Sequence, residues 1–116
     1  MSLRGFLGRW GPVVVWAGLI FGLSSIPSLG TGLGVWDEIL RKCAHATEYA
    51  ILGVLLWRAL ERELPAFLLG VAYAASDELH QHFVAGRHGS PVDVAIDAGG
   101  LAIGLALLRA ARTARA

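Results

Sequence analysis

At 116 residues, 55% of them hydrophobic and only 16% charged, the chain is too apolar to cover an ordinary soluble domain of its size with polar groups. A formal net charge of +1, with no basic cluster away from the ends of the apolar runs, excludes a nucleic-acid partner. The one cysteine, Cys43, rules out an intramolecular disulfide and a zinc ribbon, and reads as a small filler near a helix start.

Four apolar stretches, residues 10–26, 45–60, 64–84 and 92–108, predict an all-α bundle of four transmembrane helices in a single domain over 1–116. The first follows Arg4 and Arg9, as a signal peptide would. Its apolar part is long for a signal, however, and Ser24-Ser25-Ile26-Pro27-Ser28 is a poor cleavage site, so the expectation is a retained helix ended by Pro27. Residues 28–34, rich in Gly and Ser, read as an irregular loop. Residues 37–42 form an interfacial helical turn leading into the second span, with Trp36 at headgroup level.

The third span is the informative one. Its uninterrupted apolar run, 64–75, has 12 residues, whereas a bilayer core takes roughly 20 helical residues to cross. To reach the far surface the helix must continue through Asp77, Glu78, His80 and Gln81, which places those groups inside the outer third of the membrane. After it, Gly86 and Gly89 suit a tight reversal, and Pro91 suits a helix start. The fourth span opens with Asp93 and Asp97, one turn apart. It continues with Gly100 and Gly104 as a small-xxx-small pair, and Ala98, Ala102 and Ala106 extend the same idea on another face.

Four spans put both termini on one side. That side holds seven basic and two acidic residues, against three basic and seven acidic at the opposite ends. Short-loop Lys and Arg accumulate on the cytoplasmic side, so the expectation is cytoplasmic termini in the cell membrane and a polar cluster facing the extracytoplasmic side.

Residues three or four apart share a helix face. Lys42, His45 and Tyr49 therefore line one side of the second span; Asp77, His80 and Gln81 line one side of the third; Glu78 and His82 form a second pair there. Three polar stripes at one depth imply a shared, water-accessible cavity, and ionisable groups at such depth are a functional signal. His with Asp and Glu can supply a general base or a nucleophile–base pair, while Arg87 and Lys42 can hold phosphoryl or carboxylate charge, Arg87 as a bidentate fork. The same residue types suit a divalent metal, although no metal or cofactor follows from the spacing. Catalysis, binding or transport, and a structural hydrogen-bonded network all remain open at this point.

Ser24-Ser25, His45-x-x-x-Tyr49, the run from Asp77 to Arg87, and Asp93 with Asp97-x-x-Gly100-x-x-x-Gly104 resemble the VanZ-like membrane proteins over about residues 10–108. The resemblance implies a small integral protein of the cell envelope, with a link to resistance to the glycopeptide teicoplanin. It brings no settled reaction. It marks His45, Tyr49, Glu78, Gln81, Arg87, Asp93 and the position of Asp97, where the family often has Asn. Taken together, these readings give a protein acting on an anionic lipid or lipid-linked glycan at the outer leaflet. In that reading His45 or Glu78 accepts a proton, Asp77 or Asp93 orients it, and Lys42, Tyr49, His80, Gln81, Arg87 and Asp97 bind substrate. A non-catalytic module binding a lipid or the antibiotic, or a structural subunit, is the alternative. The expected partners are the lipid bilayer and a lipid-linked envelope precursor or glycopeptide; a bundle this small also leaves room for a homo-oligomer.

Overall fold

The computed structural model describes residues 2–24, 35–83 and 91–115. They form four helices: α1, Leu3–Ser24; α2, Val35–Leu60; α3, Glu63–His82; and α4, Pro91–Arg115. The expected loop at 28–34 and the Gly86–Gly89 reversal lie outside the described residues. All-α architecture with four helices is as expected, but every helix differs in its bounds from the apolar runs, α3 by only one residue at its start and two at its end. The helix α1 starts seven residues before Trp10 because the Ser2 hydroxyl accepts a hydrogen bond from the Gly5 N–H at 3.0 Å, a serine N-cap. The helix α2 absorbs the expected interfacial turn, since nothing from Val35 to Leu52 is Gly or Pro and no breaker separates turn from span. The helix α4 starts at Pro91, the favoured first helical position for proline, and runs on past Leu108 into its arginine tail.

Two segments, Leu3–Leu23 and Pro91–Ala114, are long and apolar enough to cross a membrane by length and composition. A second observation extends to every helix. Large apolar side chains point outward from all four, among them Val15 on α1, Ile51 on α2, Leu68 on α3 and Leu107 on α4. A water-soluble monomer rarely exposes apolar surface on so many sides, whereas lipid is its natural solvent.

Inside, α2 is the hub: it packs against the other three helices, α4 also packs against α3, and α1 rests on α2 and α3 without meeting α4 among the described residues. The α2–α4 seam is the tightest. A methyl group built on Gly100 would run into the Ala46 carbonyl, and one on Gly104 into the Ala50 carbonyl, so the two backbones touch there. Leu101, fully buried between these glycines, drops its side chain into a notch made by Gly53 of α2 and Gly70 of α3. Between α2 and α3 the chain reverses in two residues. Glu61 takes the left-handed conformation (φ 59°) that closes a helix, and Arg62 is extended ahead of α3.

The first helix is held by polar contacts as well as by packing. Pro12 has no N–H, so the Gly8 carbonyl four residues earlier loses its helical donor. The Arg58 guanidinium of α2 donates to that carbonyl at 3.1 Å. Further along, the Trp16 indole N–H donates to the Glu48 carbonyl at 2.9 Å, and the Tyr73 hydroxyl donates to the Ala17 carbonyl. These contacts fix α1 to α2 and α3, two of the three helices that carry the polar cluster.

Candidate functional site

On each of three helices the packing stripe runs directly into polar residues. The buried positions of α3 are Ala66, Gly70, Ala74, Asp77 and Gln81, at helical spacing throughout. Those of α2 run from Ala59 through Leu56 and Leu52 to Tyr49, with His45 one turn beyond, and those of α4 run from Leu105 and Leu101 to Asp97. The site is therefore the polar end of the same seams that hold the bundle together. Helix packing forces these side chains into one place.

Across the α2–α4 seam, His45 Nδ1 lies 3.5 Å from Asp97 Oδ1. That distance is an ion-pair contact just beyond a good hydrogen bond, as catalytic contacts often are without substrate. Across the α2–α3 seam, the Tyr49 hydroxyl donates to Asp77 Oδ2 at 3.2 Å, and the Gln81 amide donates to the same oxygen at 3.3 Å. Tyr73 stands behind, its ring centroid 6.2 Å from that of Tyr49. Asp77, Asp97 and Gln81 retain only 1%, 3% and 6% of their exposure, so the expected water-accessible cavity is, at these residues, a closed seam.

The pairing differs from the sequence expectation in two respects. Asp97, expected to bind substrate, is the carboxylate that faces His45, rather than Asp77 or Asp93. His80, expected on the same face as Asp77 and Gln81, instead stacks on Phe21 of α1 with centroids 4.1 Å apart. Three residues turn a helix about 300° and four about 400°, so His80 and Gln81 diverge by a full residue step of about 100°. The α2–α3 seam takes Gln81 and the α1 side takes His80. Of the others, Lys42 is half-buried one turn before His45, and Glu78 and Asp93 are half-buried beside each other's charge, with Asp97 also within electrostatic reach of Glu78. His82 is exposed. Arg87 lies outside the described residues.

Four buried polar atoms have no hydrogen-bond partner among the described residues: His45 Nδ1, Asp77 Oδ1, Glu78 Oε2 and Asp97 Oδ1. Three of them are carboxylate oxygens, one from each of three side chains on α3 and α4. His45 Nδ1 and Asp97 Oδ1 face each other at 3.5 Å; buried acceptors are ordinarily paired, so the Asp77 and Glu78 oxygens are the ones that call for a donor. Among the described residues, no group of three His, Cys, Asp or Glu side chains is arranged to hold a metal ion. Two contributors escaped the sequence reading. Tyr73 reads as apolar filler inside the α3 run, and Trp16 as a membrane aromatic; only the fold shows their polar tips pinning α1 against the helices of the site.

Two helices long and apolar enough to cross a membrane, an apolar exterior and a buried imidazole–carboxylate pair at one end are the features of a small membrane protein of the all-α class. A family model described as VanZ/LLP1 matches residues 6–112, and the chain belongs to the VanZ/LLP1 family. No curated protein and no solved structure matches the chain.

Proposed function

We propose that this VanZ-family protein works at the cell envelope on an anionic lipid or lipid-linked glycan, and that its polar site faces the extracytoplasmic side. The observation carrying this reading is the pair of buried carboxylate oxygens without a donor among the described residues, Asp77 Oδ1 and Glu78 Oε2, at the same end of the bundle as the His45–Asp97 contact. Sugar hydroxyls, or a protonated amine, supply the donors those oxygens lack. Lys42 at the same end, with Arg87 in the following segment, supplies positive charge for a phosphate. A substrate carrying both hydroxyls and phosphate on an apolar tail satisfies every requirement at once.

In the catalytic form of this reading, Asp97 orients the imidazole through Nδ1 and stabilises its protonated state. The Nε2 atom then takes a proton from a substrate hydroxyl or a water as that oxygen attacks, and returns it to the leaving oxygen. Glu78 is the second acid–base group within reach. Asp77 has a different part: its Oδ2 already accepts two hydrogen bonds, from Tyr49 and Gln81, which favours a positioning role over proton transfer. The same reading expects expression of the protein to change teicoplanin susceptibility.

The test is lipid mass spectrometry on purified protein incubated with envelope lipid extract. New species are expected with the wild type and are lost with Asp97→Asn and Glu78→Gln, both of which keep size while removing a carboxylate. An unchanged lipid profile with the wild type, together with teicoplanin protection that survives both substitutions, would favour the binding module instead.

A further inference from the structure

At the opposite end of the bundle from the polar site, the seam between α3 and α4 is not closed. A cleft of about 400 Å³ opens there, walled by Leu64 and Phe67 of α3 and by Ala102, Leu105 and Ala106 of α4. The small alanines keep it open. Ala102 and Ala106, expected from their spacing to favour close helix approach, are instead exposed and leave a furrow. At its mouth, Arg109 makes a two-pronged ion pair with Glu63, Arg109 Nε donating to Glu63 Oε1 at 2.8 Å. A second hollow of about 440 Å³ continues from this pair to Arg112 and Thr113.

We infer that this furrow and the arginines at its mouth form a binding site for an anionic phospholipid, with an acyl chain between α3 and α4 and the phosphate against Arg112 and Arg109. Charge and shape point to the same occupant. The furrow is apolar along its length and basic only where it meets the helix ends. Arg112 lays its guanidinium over the Trp57 ring, 4.1 Å from the centroid. Stacking occupies the face of the guanidinium and leaves its edge N–H donors, which have no hydrogen-bond partner among the described residues, available to a phosphate. Trp57 also suits headgroup depth. Glu63 is the counterweight, because it occupies Arg109 and repels an incoming phosphate.

That arrangement fixes the sign of an unusual test. Native mass spectrometry of purified protein, exchanged into mixed vesicles of phosphatidylglycerol and phosphatidylcholine, reads the retained lipid. Wild type is expected to retain phosphatidylglycerol preferentially. Arg112→Gln should weaken that preference about fivefold, in keeping with one basic contact to an anionic headgroup. Glu63→Gln, which breaks the visible ion pair, should strengthen it, an outcome that a purely structural salt bridge does not give. Ala106→Phe should reduce retention of both lipids by filling the furrow. Thr47→Ala, exposed at the other end and outside the proposed site, should change nothing here, and lipid turnover should survive Arg112→Gln, so this inference and the proposed function stand or fall separately. Equal retention of the two lipids by wild type overturns the site, as does lipid retention indifferent to Arg112→Gln. A shift from dimer to monomer in Ala106→Phe with lipid count unchanged would overturn it in favour of a second copy of the chain on this face.

Discussion

His45 and Asp97 face each other across a helix seam, and the two halves of the polar cluster call for opposite responses to substitution. Replacing Asp97 by Asn keeps the volume but removes the charge that holds the imidazolium. Lipid turnover should fall about 10²–10⁴-fold, the range of a lost general base, while the melting temperature in detergent changes little. Tyr49→Phe acts on the other half. It leaves Asp77 Oδ2 with Gln81 as its one described donor and should lower stability by about 1–3 kcal/mol, measured by thermal unfolding in detergent, with turnover largely kept. A Tyr49→Phe protein that is fully stable but inactive would move the proton chemistry from His45 to Tyr49.

The helices make their own predictions. Gly104→Ala should destabilise the bundle by about 1–3 kcal/mol through overpacking against the Ala50 carbonyl, whereas Gly99→Ala, with open space around it, should not. For α1 the question is the Gly8 carbonyl. Arg58→Met should loosen α1, seen as faster proteolysis or hydrogen exchange along residues 3–24, and adding Pro12→Ala should restore protection by returning the helical donor. Non-additivity of that sign is the signature of one shared acceptor. Helix number and class were legible because four apolar runs at these lengths leave few alternatives. That α4 approaches a neighbour closely was legible in Gly100 and Gly104 as well, but not that the neighbour is α2. Arg58 bonding Gly8 was not legible: Pro12 marks the Gly8 carbonyl as short of a donor, but nothing local names the side chain, 50 residues away, that supplies one. The site was readable as a set of residue types on three helices, but its pairing was not. Assigning Asp97 to His45, and His80 to Phe21, requires the rotation of each helix about its axis, which neighbouring helices decide.

Over the whole molecule, charge is sorted by end. The polar-site end carries Asp77, Glu78, Asp93 and Asp97, and the other end Arg9, Arg58, Arg109 and Arg112. The lone thiol offers a direct test of sidedness: Cys43 is exposed on α2, two residues before His45. In intact cells a membrane-impermeant maleimide should label Cys43, and should label Arg112→Cys in a Cys43→Ser background only after permeabilisation. The reverse pattern would turn the proposed site toward the cytoplasm. Acid should act at the arginine end. Arg109 holds the Glu63 carboxyl below its ordinary range, so the stabilisation it brings is complete above an unfolded value of about 4.3 and fades as pH falls through the lowered folded value. Glu63→Gln should accordingly flatten the acid limb of the stability profile below about pH 4. The sorting of charge also makes the molecule an electrical object. With arginines inward, a membrane potential negative inside pulls the basic end in and the acidic end out. Each elementary charge moved fully across would be worth about 2.3 kcal/mol per 100 mV. An energised cell would hold this orientation more firmly than a vesicle without a gradient, and insertion during uncoupling should yield a larger inverted fraction.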